Sequence, residues 1–404
     1  MSDVSPAPVR VILSLCAAEL LTMLGVFAFP ALLPDFIAQW SLSSTEAGWV
    51  SGITFAGYAV SVPVLMTLTD RIDAKRVYVA GALLTALSAA GFALTATGLW
   101  TALGWRALGG VGLAGTYMPG LKVLVDRVQG RITPARQARW ISFYTASFSL
   151  GTSLSFLING AVAQVLDWHA AFELAAATAL AAALIAVTLS SSRPAPGAAN
   201  ASHPFDFRPV FRNRAAMGYI LGYAGHVWEL FGVRSWMVAF LAFALSLQPG
   251  AWGPSPTAAA TLASLLAVAA SIGGADLAVR FDRIRVCSAA MLASAALSLV
   301  IGFTAALPYG LVVALVLLHN VLVQLDSAAL TTGAVLVADP ARRGATIAIH
   351  SLMGFGGGFL GPLAFGMVLD LGGGSSSVAA WGLAFASLAL VVAPGPLALR
   401  WARK

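Results

Sequence analysis

Charge is scarce in this chain of 404 residues: Asp, Glu, Lys and Arg together make up 10%, where a soluble domain carries about 25%. That scarcity excludes a soluble globular protein and a solvated, disordered chain. Cysteine is nearly absent. Cys16 and Cys287 are the two there are, and they lie far apart in or beside apolar runs, which excludes a disulfide scaffold or a cysteine metal site. Cys16 follows a faint lipoprotein-type box, but Leu15 is bulky where a small residue is needed, so no lipid anchor or cleaved leader is expected. No Ser/His/Asp, metal-ligand or nucleotide constellation is present, and an enzyme is not expected. The glycine run Gly354 to Gly358 has no Gly-Lys-Ser/Thr after it, so it reads as close helix packing and not as a phosphate loop. Short alternating strands are missing too, which excludes an outer-membrane barrel.

What is present is apolar sequence. Apolar residues form 59% of the chain, and mean hydropathy is +0.86. A membrane span needs about 20 apolar residues, so twelve would use about 240, close to the apolar share of this chain. Twelve segments are legible, at about 10–34, 45–69, 76–97, 99–125, 138–166, 170–190, 215–246, 256–279, 286–306, 308–338, 344–369 and 376–399. The long polar interval 191–214 separates six spans from six. The expected organisation is an N-terminal half over 1–190, a linker over 191–214 and a C-terminal half over 215–404, in an all-α polytopic membrane protein.

The net charge of +7 is distributed by topology and is not a nucleic-acid patch. Arg10, Arg71, Lys75, Arg76, Arg127, Arg131, Arg136, Arg139, the arginines of the linker, Arg280, Arg283, Arg285, Arg342, Arg343, Arg400, Arg403 and Lys404 fall in the termini and in alternate loops. The loops after spans 1, 3, 5, 7, 9 and 11 carry no Lys or Arg. By the positive-inside rule both termini and the linker are cytoplasmic, in a bacterial-type inner membrane.

A shift of about 210 residues superposes the two halves. Ala17-Ala18-Glu19-Leu20 falls on Val227-Trp228-Glu229-Leu230, Asp70 to Val77 on Val279 to Val286, and Val165-Leu166-Asp167-Trp168 on Val368-Leu369-Asp370-Leu371. Two parallel repeats of six spans are the architecture of a rocking transporter.

With Asp70-Arg71-Ile72-Asp73-Ala74-Lys75-Arg76 after span 2, and Arg106-Ala107-Leu108-Gly109-Gly110 in span 4, the chain resembles the major facilitator superfamily over essentially its whole length. Both glycines of the family's span-2 signature are missing, with Met66 and Asp73 in their places, and span 5 lacks the glycine-rich run with Gly-Pro of drug/proton antiporters. The resemblance implies twelve transmembrane helices in two pseudo-symmetric halves. It also implies a cytoplasmic gate at Asp70, Arg71, Lys75 and Arg76, and a central cavity lined by spans 1 and 7.

Ionisable groups inside spans are costly, about 2.5–3.5 kcal/mol at the bilayer centre on insertion scales, so each asks for a reason. Lys122, four residues from Asp126, can snorkel to the cytoplasmic face. His319 reads as a neutral histidine hydrogen-bonded in packing, and His350 as packing or cavity lining. Glu19 and Glu229 occupy equivalent repeat positions near mid-membrane. They are either structural carboxyls or cavity carboxylates that bind a proton or a cationic group. Glu229 is the first choice for proton coupling, with His226 60° away on the same helix face, and Glu19 the second. Arg234 is 140° from Glu229 and about 7.5 Å further along the helix, so it calls for another partner: Asp326 of span 10, or an anionic substrate. Arg234, Asp326 and Arg106 are the substrate-binding candidates.

The expected function is secondary active transport of a small polar or charged solute, an organic anion or zwitterion, by proton symport and alternating access. The alternatives are proton-antiport export of drugs, siderophores or metabolites, and a non-transporting membrane sensor. No cofactor or metal is expected beyond the proton gradient as energy source. The expected partners are the lipid bilayer and a small-molecule substrate, with no nucleic acid and a monomeric state.

Overall fold

A backbone inside a bilayer has no water to bond, so each spanning segment must satisfy its own N–H and C=O groups as a helix. The computed structural model follows that rule except where the first and tenth expected spans are interrupted. It describes residues 6–69, 71–128, 132–189, 207–339 and 342–403. The helices are α1 (Pro6–Met23), α2 (Ala28–Ala31), α3 (Leu33–Trp40), α4 (Ser44–Leu68), α5 (Ala74–Thr95), α6 (Leu99–Val128), α7 (Pro134–Val165), α8 (Trp168–Thr188), α9 (Arg208–Arg212), α10 (Arg214–Ser246), α11 (Pro256–Arg280), α12 (Arg283–Ile301), α13 (Tyr309–Gln324), α14 (Ser327–Leu336), α15 (Arg343–Leu371), α16 (Val378–Val392) and α17 (Gly395–Trp401). Among the described residues there is no strand.

Among the described residues, eleven segments are long and apolar enough to cross a membrane, and they coincide with the second to twelfth expected spans. The first expected span is broken into α1, α2 and α3 around residues 24–27 and 32. Pro30 and Pro34 lie in this stretch, and Pro34 starts α3 where its missing N–H costs nothing. The tenth is broken between α13 and α14 at Leu325 and Asp326, with no proline or glycine there to signal it. Of the expected linker, residues 190–206 lie outside the described residues, while its last part forms α9.

The helix ends are set by short polar side chains. Asp73 accepts from the Lys75 N–H at 3.0 Å and Asp282 from the Arg285 N–H at 2.9 Å. These two aspartates match in the repeat, and each starts the third span of its half. The Arg285 N–H, above all, and the Arg403 guanidinium hold the Asp282 carboxyl below the usual carboxylate range. Asn213 caps α10 through Ala216 and donates to the Val337 carbonyl just beyond α14.

The packing sorts the chain into two units, Met1–Ala28 with Gly57–Ser202, and Phe29–Ala56 with His203–Lys404. In the first, α5 and α6 touch backbone to backbone: a Cβ on Gly81 would lie 2.6 Å from the Gly115 carbonyl carbon. In the second, α10 and α15 meet the same way, with Gly357 and Gly361 against the Ala224 and Trp228 carbonyls. That contact is the close packing expected of the glycine run. Also within this unit, Gly48 and Gly52 of α4 lie against the Pro362 and Phe359 carbonyls, and Asp370 caps α4 by accepting from the Ser44 and Thr45 N–H groups at 2.9 and 2.8 Å. The helix at the centre of the second unit is α10. Of its most apolar window 83% is buried, against 33–56% for the other spans, and it carries His226, Glu229 and Arg234.

Candidate functional site

Because α10 is surrounded by protein, its polar side chains must find partners on neighbouring helices. Glu229 is 1% exposed. Its Oε2 accepts from Ser294 Oγ at 2.8 Å and its Oε1 from Ser298 Oγ at 2.8 Å, both from α12. His319 Nε2 of α13 is 2.7 Å from Ser298 Oγ and 3.3 Å from Glu229 Oε1. The Ser298 hydroxyl has one proton to donate and gives it to Glu229, so the imidazole Nε2–H is placed to donate to the serine. Imidazole, hydroxyl and carboxylate thus form a continuous chain of exchangeable protons.

One turn earlier on α10, His226 does not turn to Glu229. Its Nδ1 lies 2.7 Å from Asp326 Oδ1, with both side chains almost fully buried. Of the two partners considered for Arg234, Asp326 lies beside His226, and the imidazole beside Glu229 is His319. Helical angle places two residues on one face, but the neighbouring helix decides which of them it meets. Toward the start of α10, the Tyr223 ring stacks on His350 with centroids 3.8 Å apart, and His350 Nε2 is 3.2 Å from Thr331 Oγ1. Arg234 is buried near the middle of α10.

Glu19 sits in the first unit, fully buried on α1. Tyr144 of α7 donates to its Oε2 at 2.7 Å, and its Oε1 has no hydrogen-bond partner among the described residues. The same tyrosine hydroxyl is 3.0 Å from the Tyr117 carbonyl. It fits there because Gly120 has no side chain: a Cβ on Gly120 would collide with it.

Arg106 of α6 points at the break in span 1, its Nη1 and Nη2 donating to the Val26 carbonyl at 3.4 and 3.3 Å. Two side chains of α7 complete the support. Ser155 Oγ and Asn159 Nδ2 each donate to the Leu24 carbonyl at 2.7 Å, and Ser155 Oγ accepts from the Phe27 N–H at 3.0 Å. Non-helical backbone at membrane depth is tolerated where protein groups satisfy it, and these three residues do so.

Of the expected gate, Asp70 lies outside the described residues. Arg71 and Arg76 are exposed at the end of α4 and the start of α5. Lys75 Nζ donates to the Val187 carbonyl at 3.0 Å and also to the Leu189 carbonyl, so it closes the C-terminal end of α8. Lys122 pairs with Asp126 at 3.4 Å. Among the described residues no group of three or more His, Cys, Asp or Glu is arranged to hold a metal ion.

The residues that sequence reasoning missed are Ser294, Ser298, Tyr144, Ser155 and Asn159. A signal existed for four of them. Ser294 and Ser298 are spaced i, i+4 on an apolar helix, as are Ser155 and Asn159, and such pairs share one face.

Three comparisons bear on this arrangement. The family model described as Major Facilitator Superfamily matches residues 15–318. A relative from Salmonella enteritidis PT4 (strain P125109), named "Uncharacterized MFS-type transporter YcaD", is 28% identical over 162 residues, which are 39% of this chain and 41% of the relative. The chain thus aligns with about two fifths of that relative's length. The crystal structure of a bacterial homologue of the human lysosomal transporter Spinster, inward-facing and occupied, has a TM-score of 0.79 at 16% identity, covering 99% of this chain and 97% of that one. The nucleoside transporter NupG has a TM-score of 0.76 at 17% identity, covering 96% and 99%. Identities this low speak for the fold alone. With the family match across three quarters of its length, this multi-pass chain belongs to the Major Facilitator Superfamily of membrane transporters.

Proposed function

We propose that this transporter is proton-coupled and moves a small polar or charged solute, an organic anion or zwitterion, by alternating access in a bacterial-type inner membrane. The observation that carries the reading is Glu229. It is a carboxyl in mid-span, both of whose oxygens are held by hydroxyls, one of which links it to an imidazole. A group of that kind inside a membrane is a site for loading and releasing a proton. When His319 is in its imidazolium form, the Nε2–H bond breaks and that proton passes to the Ser298 hydroxyl as the Ser298 proton moves to Glu229 Oε1, leaving a neutral imidazole protonated at Nδ1, an intact serine and a neutral carboxyl.

Arg234, five residues beyond Glu229 on the same buried helix, is the group we assign to the anionic part of the substrate. A guanidinium grips a carboxylate with two parallel hydrogen bonds, and lysine lacks that fork. Asp70, Arg71, Lys75 and Arg76 form the cytoplasmic gate in this reading, with both termini on the same side. The neighbouring fold of a nucleoside transporter adds nucleosides to the solutes worth testing.

The test has two steps. Uptake and efflux are first measured in cells against a panel of organic anions, zwitterions, nucleosides and drugs. The solute found is then followed in proteoliposomes. Glu229→Gln is expected to abolish accumulation driven by a pH gradient while counterflow exchange continues. Efflux of drugs in place of uptake would replace symport by antiport, and full accumulation by Glu229→Gln would sink the role of Glu229.

A further inference from the structure

The first turns of α1 and α7 flank a cavity of about 390 Å³. Val9 and Ile12 of α1 line it, with Ile132 just before α7 and Trp140 and Phe143 on α7. Against these five apolar side chains stand two cations, Arg136 and Arg139, and no acid. Residues three and four apart share a helix face, so Arg136, Arg139, Trp140 and Phe143 form one patch of α7. The Arg139 guanidinium lies over the Phe143 ring, 5.8 Å from its centroid, and the Trp140 ring is 5.4 Å from the same centroid. A guanidinium laid on a ring keeps its N–H edge free to donate. Both arginines are exposed, and among the described residues neither is in an ion pair with a carboxylate.

An apolar track leads away from the arginines. Phe143, Leu150 and Leu157 are 47, 40 and 40% exposed. Their spacing of seven returns them to nearly the same face of α7. From Phe143 to Leu157 the track runs about 21 Å at 1.5 Å per residue, longer than one leaflet's half of the roughly 30 Å hydrocarbon core. A free phosphate would gain nothing from that track, and an acyl chain alone would gain nothing from the arginines.

We propose that this cavity is a binding site for one anionic phospholipid, taken from the leaflet that the proposed topology makes cytoplasmic. Arg136 and Arg139 donate to the phosphodiester oxygens. The glycerol backbone lies between Val9, Ile12 and Trp140, and one acyl chain follows Phe143, Leu150 and Leu157. A basic recess between helices, at the membrane surface, is the setting in which anionic headgroups are held. No carboxylate lines the cavity to receive the ammonium or choline group of a zwitterionic lipid. The site lies wholly within the first unit, and its test depends neither on the solute nor on proton coupling.

The test is native mass spectrometry of the full chain in detergent, titrated with phosphatidylglycerol and, separately, with phosphatidylcholine of the same acyl chains. The expected result is one phosphatidylglycerol that stays bound under collisional activation that strips phosphatidylcholine. Arg136→Gln combined with Arg139→Gln weakens that binding about tenfold or more, the worth of one charge-assisted hydrogen bond. Arg280→Gln combined with Arg285→Gln removes two other exposed arginines and leaves it unchanged. Val9→Trp, which puts an indole into the cavity and alters no charge, also weakens it. Glycerol phosphate, a headgroup without acyl chains, does not compete. Equal retention of the two lipids overturns the proposal, and so does equal weakening by the two arginine pairs. Binding preserved in Val9→Trp places the lipid outside the cavity, and competition by glycerol phosphate makes the site one for a free anion; either result overturns it too. If Val9→Trp does not fold, the arginine pairs and the competition decide.

Discussion

Glu19 and Glu229 hold the same place in the two repeats and are equally buried, yet they have different company. Glu229 meets two serines and a histidine. Glu19 meets one tyrosine and keeps an oxygen without a partner among the described residues. The repeat aligns the two carboxyls in sequence, and the helices packed against each set its company. A tyrosine offers the carboxylate one hydroxyl, whereas an imidazole has two ring nitrogens that can donate or accept. In the proposed reading the second unit is the one that passes protons. The polar residues of the first, Arg106, Ser155 and Asn159, are spent on the broken backbone of span 1.

That asymmetry can be broken or sharpened by substitution. The largest effect is expected at Arg106. Arg106→Ala leaves the Val26 carbonyl without its charged donor, a loss of about 1.5–3 kcal/mol, to be read as a lower melting temperature in detergent. Unchanged melting would remove its structural role and leave substrate contact as its function. Next comes the glutamate pair. Glu229→Gln is expected to cut proton-driven accumulation by about tenfold or more, equivalent to about 1.4 kcal/mol, and Glu19→Gln to change it much less. Equal losses in both would erase the distinction between the halves.

Two hydroxyl deletions are smaller and more pointed. Ser298→Ala and Tyr144→Phe each remove a hydrogen bond to a glutamate and should each cost about 1 kcal/mol of stability. Only Ser298→Ala should also slow proton-driven uptake, because only Ser298 joins a carboxyl to an imidazole. A transport defect in Tyr144→Phe alone would reverse the assignment.

The smallest effects are expected where the halves agree. Asp73→Ala and Asp282→Ala each remove an N-cap and should cost similar amounts, at the low end of about 0.5–2 kcal/mol. The folded Asp282 carboxyl lies below its unfolded value. Its contribution is thus full above about pH 4 and is lost as the pH falls through the folded value. A pH series of melting curves on Asp282→Ala and its parent should converge in acid.

The spans, their number and the repeat were legible in the sequence because burial in lipid writes itself into long apolar runs. The breaks in spans 1 and 10 were not. Each lies against residues far away in sequence: Ser155 and Asn159 for the first, Gly274 for the second. The intramembrane charges were visible as costly exceptions, and Glu19, Glu229, His226, Arg234, Asp326 and Arg106 all prove to be buried. Their pairing was not visible, because helical periodicity orders residues around one helix and says nothing about the face of the next. Hence Asp326, one of the two partners considered for Arg234, lies beside His226, while His319 is the buried, hydrogen-bonded histidine the sequence suggests, with Ser298 and Glu229 as its partners.

The central claim is that proton handling resides at Glu229 and not at its repeat mate. The most direct measurement is accumulation of the identified solute in proteoliposomes under an imposed pH gradient, with the parent protein, Glu229→Gln and Glu19→Gln compared side by side and counterflow exchange recorded for each. The account predicts that Glu229→Gln exchanges but does not accumulate, while Glu19→Gln does both. Accumulation preserved in Glu229→Gln and lost in Glu19→Gln would contradict it.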